Sequence, residues 1–310
     1  MKLIWHFVCG LTLFVMATSL LLQQSLLPQG EFTISDNVNL VLLDVSVRDS
    51  HSSYISGLER SNFRVLEDGR PRVITHFGSI DTPVSVGLVV DNSGSMRAKR
   101  AEVIQAGLSF ARESNSQDEF FVVNFNNSAV FGLPSGVPFT DNLHLLQNAL
   151  YYGNPMGQTA LYDAVSYSLR HLEAAHHEQR TLIVVSDGGD NVSKVSLTEL
   201  MNQLESSRAT VYTIGLFDPE NKDLKPRVLR RLAGISGGEY FQPRNLDDVL
   251  PIFTRISKDI RNRYTIGFVP DEQQDKRDIR TIRISAQQDG KRFTCRARTT
   301  YRIPGAAGKT

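Results

Sequence analysis

The sequence predicts an α/β fold, a doubly wound and mostly parallel sheet, flanked on both sides by β-rich segments. Three observations predict it. Uninterrupted apolar runs such as "VSVGLVV" and "TLIVVS" suit strands buried on both faces. Between them, Ala101, Ile104, Leu108 and Ala111 recur at steps of three and four, which is one face of a helix. Strand-like and helix-like stretches then alternate from Val84 to Ile260, the pattern of an open sheet covered by helices.

Bulk properties set limits on the function. The 310 residues are enough for one large domain or two modest ones, and a hydrophobic fraction of 41% is ordinary for a globular chain. A net charge of +1 gives no reason to expect nucleic-acid binding. Cys9 and Cys295 are too far apart in the chain to suggest a disulfide framework.

Residues 1–30 read as an export segment with a linker. Lys2 precedes a charge-free run from Leu3 to Leu22, and no further Lys or Arg appears until Arg48. The run fits a cleaved signal peptide, with Ala17 and Ser19 as small residues at a suitable spacing. It fits an uncleaved membrane anchor equally well, being close to the roughly 20 residues a spanning helix needs. Either way the protein is expected outside the cytoplasm: periplasmic, envelope-anchored or secreted.

Residues 31–80 read as β. "NLVLLDVSVRD" gives one strand, and "FRVLEDGRPRVITHF" gives two around Asp68-Gly69, a hairpin signal. Residues 81–262 carry the α/β pattern. After the first core strand and its helix come the strands "EFFVVNFN" and "AVFGL", then helices near Leu143–Tyr151 and Ala160–Ala175. The strand "TLIVVS" precedes a helix near Leu197–Ser206, and "TVYTIGL" precedes one near Lys225–Ala233. A short strand "EYF" and a last helix from Leu246 to Ile260 complete the unit. Residues 263–305 return to β with "YTIGFVP", "DIRTIRISAQQ" and "RFTCRARTTYRIP", the last two joined by a turn at Gln288–Lys291. Neither flank is large enough to bury a core alone. They are therefore expected to pair into one small β-sandwich into which the α/β domain is inserted.

The candidate site follows from the strand ends. In a parallel α/β sheet, ligands collect at the carboxyl ends of the strands. "VVDNSGSM" places Asp91, Ser93 and Ser95 there, Thr159 stands in a loop before a helix, and Asp187 follows the next core strand. A DxSxS triplet alone suits a helix-capping turn as well. Three loops together offer two carboxylates and three hydroxyls with no His or Cys. That donor set suits a hard cation, Mg²⁺ or Mn²⁺ first and Ca²⁺ less so. The motif is not a GxSxG elbow, since Asp91 stands two residues before Ser93, and no GxGxxG or GxxxxGK[ST] loop appears.

On these residues, Val84 to Ile260 resembles the von Willebrand factor type A domain, whose metal-ion-dependent adhesion site carries DxSxS, a Thr and an Asp in three successive loops. The flanks resemble those of an exported type A group seen especially in acidobacteria. One departure is Gln158, where a second Gly often precedes the Thr. The resemblance implies a Rossmann-like domain with Asp91, Ser93, Ser95, Thr159 and Asp187 as metal site. It also implies a non-enzymatic adhesion or scaffold module that grips an exposed Asp or Glu of a protein partner through the cation. A metal-dependent hydrolase and a purely structural domain without metal are the alternatives.

Overall fold

The apolar runs form a six-stranded sheet among the described residues of a computed structural model, which cover 40–78, 82–187, 189–217, 226–270 and 278–303. Residues 1–30, which the sequence suggests as an export segment and linker, lie outside them. No helix of the described residues is long and apolar enough to cross a membrane.

The chain first lays down β1 (Val41–Arg48), β2 (Phe63–Glu67), β3 (Arg70–Arg72) and β4 (Ile74–Gly78). The α/β unit then runs through β5 (Val84–Asp91), α1 (Arg100–Glu113), β6 (Glu119–Phe125), β7 (Ala129–Phe131), α2 (Leu143–Tyr151), α3 (Leu161–His171), β8 (Gln179–Ser186), α4 (Leu197–Ser206), β9 (Thr210–Gly215), α5 (Pro226–Ser236), β10 (Tyr240–Phe241) and α6 (Val249–Arg261). The chain returns to β with β11 (Arg263–Phe268), β12 (Ile279–Gln288), β13 (Lys291–Arg296) and β14 (Thr300–Arg302).

The sheet order β10-β9-β8-β5-β6-β7 is parallel except for β7. Every residue of β5 is buried, as a central strand covered on both faces requires. Gly87 lets its neighbours close over that strand, because a Cβ there would lie 2.3 Å from the Phe121 ring and 2.6 Å from Leu182. The helices carry local signals. Asn142 accepts the His144 and Leu145 amides ahead of α2, and Ser196 with Glu199 forms a capping box at α4. From β5 the chain adds β6 on one side and later β8 on the other. The carboxyl end of β5 is therefore the point where strand order reverses, the usual place for a ligand.

The two flanks meet as strands of one eight-stranded sheet, with order β3-β2-β12-β13-β1-β11-β4 and β14 on β12. β1 pairs with β11 and β13, and β2 pairs with β12, all antiparallel. Leu43, Val45, Val65, Ile266 and Phe268, drawn from both flanks, share one core. This pairing establishes a common sheet; it does not by itself divide that sheet into the two layers of a sandwich. Both predicted hairpin turns form, with positive φ at Asp68 and Gly69 and again at Asp289 and Gly290. Pro71 is tolerated because β3 lies at the sheet edge.

The last predicted strand is interrupted. β13 and β14 are separated at 297–299, where buried Arg298 donates to the Leu204 carbonyl and the Thr299 amide donates to Ile235 O. These contacts turn the chain onto the α/β unit, an effect no periodicity records.

A buried charge cluster joins the two hydrophobic cores. Asp259 of α6, 1% exposed, accepts from Ser46 Oγ at 2.7 Å, Arg48 at 2.9 Å, Arg263 at 2.8 Å, Arg296 at 2.9 Å and Tyr212 Oη at 2.5 Å. Burial, the largest influence, pushes its carboxyl up, yet Arg263 and Arg296 outweigh it and hold the group well below the usual carboxylate range. A carboxylate depressed in the folded state stabilises fully above its unfolded pKa and loses that contribution as pH falls below it. Asp259→Ala leaves Arg263 buried without this carboxylate and is expected to cost about 3–5 kcal/mol in urea unfolding. Stability of the parent should fall as pH drops below the ordinary aspartate value of 3.8, and Asp259→Asn should flatten that acid limb.

Candidate metal site

The site begins with a carboxylate at the end of a wholly buried strand. Asp91, 0% exposed, closes β5. Its Oδ1 accepts the Ser93 amide at 2.9 Å and its Oδ2 accepts Ser186 Oγ, from the end of β8, at 2.6 Å. Burial pushes the carboxyl up to about 6, and hydrogen bonds from Ser186 and Ser93 pull the other way. The carboxylate is oriented from two strands but short of a counter-charge.

The two hydroxyls of the motif do not cap a helix. Ser93 precedes a 3₁₀ turn, Gly94–Met96, without a side-chain cap bond, and the position before α1 is Lys99. Ser93 Oγ instead lies 3.1 Å from Ser95 Oγ, and Ser95 Oγ donates to Asp187 Oδ1 at 2.9 Å. Four of the five predicted donors, Asp91, Ser93, Ser95 and Asp187, thus form one hydrogen-bonded chain.

Thr159 is held in the adjoining loop through its backbone. Its amide donates to Asn191 Oδ1 at 2.9 Å and its carbonyl accepts the Asn191 amide at 3.0 Å. That loop is fastened to the first by Met156 N to Asn92 O at 3.0 Å and Gly94 N to Gly157 O at 3.2 Å. Gly157 has a φ of 79°, and an added Cβ would sit 2.6 Å from Asn127 Oδ1. Gln158, the departure from the family pattern, donates its amide to the same Asn127 oxygen at 2.7 Å, so the loop is anchored there.

The third loop is stitched to the second by carboxylates that accept backbone amides. Asp190 Oδ1 takes the Tyr162 amide at 3.1 Å, and Asp163 takes the Lys194 and Val195 amides at 3.0 Å and 2.8 Å. Sequence reasoning also missed Lys99, whose ammonium donates to Asp187 Oδ2 at 2.8 Å.

The donors fit a hard divalent cation. They are oxygens throughout, two hydroxyls already stand side by side, and a buried carboxylate behind them has a pKa raised by burial. Among the described residues, no three His, Cys, Asp or Glu side chains gather as a metal cluster.

Residues 86–189 match the family model of the von Willebrand factor type A domain, a stretch that includes all five donors. No curated protein matches the chain. A solved von Willebrand factor type A structure from Catenulispora acidiphila is 14% identical, covers 85% of this chain and 73% of its own, and superposes with a TM-score of 0.51, which shows a common fold. The vWF domain of the type V pili tip protein Mfa5 from Porphyromonas gingivalis is 13% identical, over 58% of this chain and 95% of that one, at TM-score 0.45. The PilB minor pilin from Streptococcus sanguinis is 15% identical, over 60% and 62%, at TM-score 0.47.

If Asn191 is what positions Thr159, Asn191→Ala strands a largely buried amide. Stability should drop by about 1–2 kcal/mol, and hydrogen exchange at Thr159 should accelerate at least about tenfold. An unchanged Thr159 amide would show that the loop holds itself.

Proposed function

We propose that this chain, whose α/β unit is a von Willebrand factor type A domain, is an exported, metal-dependent protein-binding module of the adhesion or scaffold kind. The observation that carries the reading is the pair of serine hydroxyls 3.1 Å apart at a strand-order switch point, backed by buried Asp91 and facing Asp187. Ser93, Ser95 and Thr159 would hold Mg²⁺ or Mn²⁺ directly, with Ca²⁺ less suited. Asp91 and Asp187 would act from behind through coordinated waters. When bound, the cation supplies an electrophilic position that an exposed Asp or Glu of a partner protein can fill.

Nothing around the hydroxyls argues for catalysis. The hydrogen bonds of Ser93 and Ser95 run to each other, to Asp91 and to Asp187, with no imidazole among them. We therefore read the protein as a binder and not an enzyme. In the same reading, residues 31–80 and 263–305 form one flanking β unit of sandwich type around the inserted 81–262 domain. Residues 1–30 export the protein or anchor it in the envelope.

Titration calorimetry tests the metal directly. Mg²⁺ should bind the parent protein, and Asp91→Ala and Ser93→Ala should each weaken it by about a hundredfold or more, with cooperative unfolding retained. Equal affinity in parent and variants would remove the site. A pull-down from envelope extract that is lost in EDTA and restored by Mg²⁺ would extend the result to the partner.

A further inference from the structure

Asp187 has no free oxygen. Oδ1 accepts Ser95 Oγ at 2.9 Å, and Oδ2 accepts Lys99 Nζ at 2.8 Å. The same ammonium donates to the Leu216 carbonyl, just past β9, at 2.8 Å. The ion pair is largely sheltered, with the Lys99 side chain 17% exposed and the Asp187 side chain 5%, so water and salt screen it little. One ammonium therefore ties the start of α1, the end of β8 and the end of β9 at the carboxylate that a bound cation would also draw upon.

We propose that Lys99 is the resident counter-ion of this site, neutralising Asp187 in the absence of metal and competing with a divalent cation for it. The inference rests on the metal reading above and adds its regulation. Asp91, Asp187 and Lys99 together carry one net negative charge. A dication entering beside them meets a carboxylate that is already paired and an ammonium that repels it. Lysine can yield without being stranded. Its flexible stem and three donors allow it to leave Asp187 while keeping the Leu216 carbonyl. Metal entry would thus release the link between the start of α1 and the β8 loop, making the state of that link dependent on cation concentration. Removing the ammonium should by the same coupling tighten the metal.

The test is Mg²⁺ titration calorimetry on the full chain with three proteins: the parent, Lys99→Met, which keeps an unbranched stem, and Arg97→Met. Arg97 lies two residues away, is exposed and donates to the Pro155 carbonyl rather than to Asp187, so its replacement removes the same charge without removing the Asp187 ion pair. Lys99→Met should bind Mg²⁺ at least about tenfold more tightly than the parent, and Arg97→Met within about twofold. Mg²⁺ should also raise the melting temperature of Lys99→Met by more than it raises the parent's. Equal or weaker binding by a cooperatively unfolding Lys99→Met would mean that Lys99 supports the site, and would overturn the proposal while the metal reading stands. Similar tightening by both substitutions would also overturn it, by reducing the effect to general charge. Absence of Mg²⁺ binding in all three would remove the metal reading and this inference together. Should Lys99→Met fail to fold, Lys99→Gln, which keeps an N–H donor without the charge, gives the same comparison.

Discussion

The constraint on which the site depends is the burial of the Asp91 carboxylate at the end of the central strand. β5 is hydrogen-bonded on both sides, to β6 and β8, so its last residue cannot turn away to solvent. Its two oxygens are fixed by Ser186 from the neighbouring strand and by the Ser93 amide from the loop it begins. That second bond folds the chain back and sets both serine hydroxyls above the strand ends. The loops then lock in sequence: Asn92 and Gly94 hold the second, and Asn191 holds the second to the third. A buried charge is costly unless it is paired, and this one faces hydroxyls before it reaches any cation. The electrostatic demand of the site arises from the fold.

A different charge problem is solved at the far end of the unit. α6 runs into β11 through Asn262 alone, so the helix and the flanking sheet cannot move independently without disturbing Asp259. That carboxylate gathers Arg48 of β1, Arg263 of β11 and Arg296 of β13, while Tyr212 of β9 donates from the other sheet. Glu239 adds a second acceptor to Arg48 and Arg296 and reaches Arg255 of α6. Excess positive charge and two acidic centres make this junction polar and directional, unlike an apolar seam that tolerates sliding. Orientation of the flanks is thereby written in hydrogen bonds.

Much of this was legible in the sequence, for reasons that separate cleanly. The parallel core was readable because β5 and β8 are continuous apolar runs, and the hairpins because Asp-Gly demands positive φ. Of the five candidate donors, hydrogen bonds bring together Asp91, Ser93, Ser95 and Asp187; DxSxS compresses three of these into five residues after a core strand, while Thr159 is held in its loop through its backbone. Gly87 gave no signal, since its need arises from Phe121 and Leu182 on neighbouring strands. Lys99 and Asn191 were silent for the same reason: their partners, Asp187 and Thr159, are distant in the chain. The break between β13 and β14 depends on Arg298 reaching α4, and the shared sheet of the flanks was visible only as β patterning at both ends. His171, the last residue of α3, stacks among Phe121, Phe131 and Phe139, with centroids 4.6, 4.3 and 4.7 Å away, another contact between residues distant in the chain.

The central claim is that the three loops are a cation site built on Ser93 and Ser95. The most direct measurement is anomalous diffraction from crystals of the protein grown with Mn²⁺. The account predicts one strong anomalous peak at the carboxyl end of β5, within about 2.5 Å of both serine hydroxyls. No peak there at saturating Mn²⁺, or a peak coordinated by other residues, would contradict it.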